Sequence, residues 1–183
     1  MHMVRLSRSC TLEQYQTYVT SRNISAICDF VVERFEERYL NPVVGSPQHK
    51  NGFAIMAISC LMIEALESFR LGWRDSRRKS SSAFRSFFSH WTVFSAFQPV
   101  AGEFYTHVRC GILHQAETTG GWLILRSGPL FVERTINAAK FASHLRHVLR
   151  EYAALLRKSE WDSETWKAFR SKMDSVCSNS IVT

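Results

Sequence analysis

The sequence predicts an all-α bundle of four to six helices with a small β-hairpin inserted, and three observations predict it. Glycine and proline are sparse, 8 and 4 in 183 residues, and they gather in a few places, which favours long helices over many short strands. Apolar residues recur at intervals of three and four along most of the chain, the spacing of a helix with one face buried. With 45% hydrophobic and 13% aromatic residues, the chain can build a core and is too apolar to stay disordered.

The elements follow in order. Thr11-Leu12-Glu13-Gln14 has the form of a capping box. Leu12, Tyr15 and Val19, then Ile27, Phe30, Val31 and Phe35, carry a helix or a broken pair of helices to about Leu40, where Asn41-Pro42 and Gly45-Ser46-Pro47 are expected to stop it. The next helix begins near Asn51 or Gly52. From Phe53 to Phe69 apolar residues cover most of its surface, as in an element near the middle of a bundle.

Gly72 to Ser82 is a basic, serine-rich loop within the domain, holding Arg74, Arg77, Arg78 and Lys79 against Asp75. A third helix then presents Phe84, Phe87, Phe88, Trp91, Phe94 and Phe97. A stripe of this density at helical spacing is read as core rather than as a base-stacking platform. Pro99 and Gly102 are expected to end it, and the following helix runs from about Glu103 to Gln115.

Trp122 to Arg126 and Leu130 to Val132, either side of Ser127-Gly128-Pro129, suggest a hairpin. A long amphipathic helix then places Phe141, Leu145, Val148, Leu149, Tyr152, Leu155 and Leu156 on one side, with Lys140, His144, His147 and Arg150 off it. Ser163 can cap a short final helix, Glu164 to Val176, before a polar tail. The length fits one domain, residues 1–183, with a core over about 25–157 and a C-terminal short helix and tail over 158–183.

The net charge of +7 and sequence pI near 9.4 make a polyanion such as RNA or DNA a natural partner. The basic loop Arg74, Arg77, Arg78 and Lys79 is the candidate RNA-binding segment. The five cysteines form no C-x-x-C pair, and three lie in apolar helical stretches, where a free thiol behaves as a small hydrophobe. A reduced cytoplasm is the expected location. No apolar run of signal-peptide length opens the chain, and no run of about eighteen apolar residues is seen, so no membrane span is expected.

Arg109-Cys110-Gly111-Ile112-Leu113-His114 carries the chemistry. An arginine stays charged and forks onto phosphate, and a histidine exchanges protons near neutrality. With Phe104-Tyr105-Thr106-His107-Val108 before it and Gln115-Ala116-Glu117 after it, this stretch resembles a HEPN domain, whose signature is an arginine and a histidine four to six residues apart near the start of a late helix. Ile58 to Leu66 looks like that family's buried second helix with its acid, here Glu64, and Thr135 to Arg157 resembles its closing helix. The similarity spans roughly residues 25–157. After the arginine the family often has a polar residue such as Asn, whereas here Cys110 follows.

On one regular helix Arg109 and His114 lie about 140° apart and roughly 7.5 Å along the axis, so one protomer does not assemble a two-group site by itself. The resemblance implies metal-independent RNA cleavage across a dimer, of the toxin or phage-defence type, with Arg109 and His114 catalytic, no cofactor, and Glu64 and Cys110 in support. An antitoxin or regulatory protein is a further expected partner. The rival reading is a non-catalytic HEPN-like RNA- or nucleotide-binding or protein-partner module.

A zinc site competes for the same helix, because His107, Cys110 and His114 fall on one face. Its outer pair are about 10.5 Å apart along the axis, too far to share one ion. Cys110 as a nucleophile with His107 or His114 as base has no independent protease signature behind it. His144 and His147, three apart, read as a solvated helix face.

Overall fold

The computed structural model describes residues 4–44 and 51–180; the expected Gly45-Ser46-Pro47 stop and the last residues of the tail lie outside them. The fold is mainly helical. The Thr11 box is formed: its hydroxyl accepts from the Gln14 N–H and the Gln14 side chain accepts from the Thr11 N–H, opening α1 (Leu12–Thr20). Asn23 caps α2 (Ile24–Phe35) by accepting from the Ala26 N–H.

Asn41-Pro42 does not stop this helix. A π turn, Glu36–Leu40, carries it into Asn41–Val44, with the Asn41 N–H reaching back to the Glu36 carbonyl. Proline cannot donate a backbone bond. Widening the turn just ahead of Pro42 changes which carbonyls seek donors, and the chain continues as helix.

The central element is α3 (Gly52–Arg70), which packs against α4 (Ser80–His90), α6 (Ala138–Lys158) and α7 (Glu164–Ser180). Among the described residues it is the one helix long and apolar enough to cross a bilayer, nearer to a span than the sequence suggested. Most of it is buried, and it carries Glu64 and Glu67 inside the protein.

The aromatic stripe is core, as expected, but not one helix. Trp91 turns extended (φ −95°, ψ 108°) after α4, and Thr92–Val100 is a 3-10 helix that holds Pro99. Residues three apart eclipse in a 3-10 helix, so Phe94 and Phe97 lie on one face of it. Phe88 meets Phe104 edge-on at 5.0 Å, and Phe97 stacks on Phe131 at 4.5 Å. Gly102 does not break the chain either; it lies inside α5, residues 101–115, described below.

The expected hairpin is a three-stranded sheet of order β1-β3-β2. β1 (Leu123–Leu125) runs parallel to β3 (Thr135–Asn137), and β2 (Phe131–Val132) pairs antiparallel with β3. The tight turn is therefore Glu133-Arg134, both at positive φ (44° and 65°), while the Gly128-Pro129 segment only links β1 to β2. Thr135 to Asn137 belong to the sheet, and the closing helix starts after them: Asn137 caps α6 by accepting from the Lys140 N–H.

Helix α7 is not short. Its 17 residues bury Trp166, Phe169 and Met173 in the same hydrophobic cluster as Leu6, Cys10 and Tyr15. The core thus reaches beyond residues 25–157 at both ends. Burying three side chains of this size contributes on the order of several kcal/mol, and the chain after Lys158 is part of the fold.

Candidate functional site

Helix α5 is built from Ala101–Glu103, a π-helical stretch Phe104–Arg109, and an α-helical turn and a half, Cys110–Gln115. The Cys110 N–H bonds the Tyr105 carbonyl, five residues back. Such π stretches insert one residue into a helix, and this one ends at Arg109.

Arg109 faces α3. Its Nε donates to Glu64 Oε1 at 2.9 Å, and its guanidinium lies 5.7 Å from the centre of the Tyr105 ring. The other carboxylate oxygen of Glu64 accepts from the Ser80 hydroxyl at 2.7 Å. The structure thus brings Glu64 and Arg109 together and adds Ser80, from the first turn of α4. Burial works against the charge on Arg109, but the Glu64 bond and its negative charge outweigh it, with Cys110 adding to them, and hold the guanidinium above its ordinary range. Cys110 also raises the Tyr105 phenol, after the larger effect of burial.

His114 is placed otherwise. It is exposed on the last turn of α5, and among the described residues no side chain or backbone group bonds its ring. Arg109 is 17% exposed, so the two motif side chains leave the helix on different faces, one against α3 and one into solvent.

The chain folds back at once after the motif. Ala116 takes a left-handed conformation (φ 55°), a helix-ending geometry more usual for glycine. The Thr119 N–H bonds the His107 carbonyl, and His107 Nδ1 pairs with the Thr119 hydroxyl at 2.9 Å. A Cβ on Gly111 would stand 2.6 Å from the Glu117 carbonyl oxygen, so only glycine admits this return. His107 is occupied by the return segment rather than turned toward His114. His144 Nδ1 pairs with the Lys140 carbonyl in its own helix, and His147 lies 3.4 Å from Glu151.

Beside Arg109 lies a cavity of about 190 Å³ lined by Ala57, Cys60, Leu61, Ile112 and Leu113. Leu61 and Leu113 are 49% and 57% exposed, so α3 and α5 present an apolar rim around the arginine.

The basic loop between α3 and α4 exposes Arg74, Arg77, Arg78 and Lys79. None of the four forms an ion pair among the described residues. Lys79 lies 4.9 Å over the Trp73 ring, and the Arg74 carbonyl is bound by Lys172 and Ser175 of α7. The backbone of the loop is pinned while its cations remain in solvent.

No family model, curated protein or solved structure matches the chain. The functional reading therefore rests on the residues themselves.

Proposed function

We propose that the chain is a metal-independent endoribonuclease of the HEPN type, of the toxin or phage-defence class, cytoplasmic and acting as a homodimer on RNA. One observation carries the reading: Arg109 is anchored through Nε alone to a buried acid, while His114, on the same helix, stands in solvent with no partner among the described residues. An arginine held this way keeps its charge and orientation while its terminal nitrogens stay available, and a free imidazole can transfer protons.

The apolar rim of Leu61 and Leu113 favours a second copy as the partner that covers this face. A twofold contact there places two Arg109 and two His114 around one cleft. One His114 takes the proton of a ribose 2′-hydroxyl, whose oxygen attacks the adjacent phosphorus. The bond from phosphorus to the 5′-oxygen breaks, and the other His114 protonates that oxygen. Arg109 opposes the charge that builds on the phosphoryl oxygens. The products are a 2′,3′-cyclic phosphate and a 5′-hydroxyl.

The non-catalytic reading has its own support in the depth of the Arg109–Glu64 pair, which is the arrangement expected of an arginine that only holds helices together. Incubating the purified chain with mixed RNA in EDTA separates the two. The nuclease reading expects cyclic-phosphate ends, and a fall of at least about a hundredfold for His114→Ala. Cleavage that needs magnesium, or that survives His114→Ala, overturns it.

A further inference from the structure

Glu64 also lines a second cavity, of about 380 Å³, which Arg109 does not line. Leu61 lines both cavities. Three cations converge on the second: Arg34 and Arg38 from the α2 segment, and Lys172 from α7. Phe35, Tyr39 and Phe69 supply an aromatic wall.

Arg34 and Arg38 both donate to a single acceptor, the Leu6 carbonyl, which brings two like charges together. Lys172 donates only to the Arg74 carbonyl. Among the described residues neither Arg34 nor Lys172 forms an ion pair, and the exposed Arg38 has only the half-buried Glu37 at 3.7 Å. The acid in the wall, Glu64, is already engaged by Arg109 and Ser80. Two half-buried cations without an ion pair, beside a third whose one carboxylate lies at 3.7 Å, carry a cost that a bound anion would relieve.

We propose that this cavity binds a phosphate monoester carrying a compact planar body, the phosphate held by Arg34, Arg38 and Lys172 and the body against Phe35, Tyr39 and Phe69. Cations that converge from two helices suit a tetrahedral, multiply charged oxyanion better than a single carboxylate. The volume fits a ligand the size of a nucleotide and falls within the range of small-molecule sites. Burial, then repulsion from Arg38, brings the Arg34 guanidinium down to about 10. Burial also holds the Lys172 ammonium below its ordinary range, with Asp75 opposing and Arg34 adding to the depression. Each of these costs is relieved by a bound anion.

Phosphate binding here does not depend on the nuclease activity. Two sources share the chemistry, a free phosphate ester and the phosphorylated end of an RNA strand. Calorimetric titration of the full chain carrying His114→Ala, at low salt, uses uridine 5′-monophosphate, uridine, and a short RNA with either a 5′-phosphate or a 5′-hydroxyl. Saturable binding of the monophosphate but not of uridine supports a small ester. Binding of the 5′-phosphorylated RNA alone supports the strand end. Lys172→Gln and Arg38→Gln, checked for an unchanged melting temperature, should each weaken binding about tenfold or more. Binding of uridine equal to that of its monophosphate, no binding of any phosphorylated probe, or unaltered affinity in both variants overturns the proposal. If phosphate binds and the wild type cleaves no RNA, the cavity stands and the nuclease reading falls.

Discussion

Two glutamates sit one turn apart on α3, both inside the protein and both facing an arginine, yet the two pairs are bonded differently. Glu67 is fully buried and meets Arg70 of its own helix fork to fork, Nε to Oε1 at 2.8 Å and Nη2 to Oε2 at 2.7 Å, with Nη2 also donating to Ser86. Glu64 meets Arg109 from 45 residues away, by one bond through Nε. The first arginine commits two in-plane donors, Nε and Nη2, to the carboxylate; the second gives only Nε, leaving its terminal nitrogens without a carboxylate. The same two residue types thus form a closed strut in one place and an oriented, incompletely used cation in the other.

Substitutions that treat the two pairs alike should break them differently. Arg109→Lys keeps the charge beside Glu64 but loses the planar fork, and should lower RNA cleavage by about a hundredfold or more while changing the melting temperature little. Arg70→Ala should lower stability by about 3 kcal/mol, because it strands a buried carboxylate, and leave cleavage per folded molecule unchanged. Denaturant unfolding and initial rates on the same preparations measure both. An Arg109→Lys enzyme with full activity would place Arg109 with Arg70 as a strut.

The proposed dimer offers a further test of the contrast, since of these two arginines Arg109 borders the apolar rim. Mixing an excess of His114→Ala protomers with wild type should remove most activity if the two histidines divide acid and base roles. Activity in proportion to the wild-type protomers present would mean independent sites. Sedimentation at working concentration supplies the control, as a monomer cleaving at full rate contradicts the shared cleft.

The smallest effect belongs to the exposed loop. Replacing Arg74, Arg77, Arg78 and Lys79 together by alanine should leave the fold intact and reduce the salt dependence of RNA binding, by about 0.7 in the log–log slope for each phosphate that these cations neutralise. Equal slopes for wild type and variant would remove the loop from the interface.

The helical architecture could be read from spacing because burial imposes a period, and the period survives in the sequence. One clue was stronger than its reading: Trp91, Phe94 and Phe97 repeat at strictly three, the period of a 3-10 helix, where Phe84, Phe87 and Phe88 do not. The hairpin turn was misplaced because Glu133-Arg134 adopts positive φ without the glycine or asparagine that usually announces it. Helix α7 looked marginal because polar residues separate its few large apolar ones, and its stability comes from what those three bury.

In the site, Glu64 was visible as an acid in an apolar run, which needs a partner wherever it is buried. Ser80 was not visible. It is one of three consecutive serines, and only the position of α4 selects the one that faces Glu64. Arg34 and Arg38 were hidden for a similar reason: on a helix, spaced four apart, they look like an ordinary solvated edge until Lys172 of α7 is seen to line the same cavity.

The π stretch in α5 makes the length of this helix as consequential as its composition. Residues 104–109 accommodate one residue more than a regular helix over the same turns. Removing one residue there would let the helix relax to regular geometry at little cost in backbone bonding and would leave the residues beyond it on nearly the same faces, because the turn count is unchanged. Phe104 is anchored in the aromatic core, so Arg109 would keep its direction toward Glu64, whereas one residue lost from the regular turn Cys110–Gln115 would turn His114 by about 100°. Within this helix the place of a length change therefore decides its effect: the π stretch can give up a residue and keep Arg109 on Glu64, while the turn after it cannot lose one without moving His114.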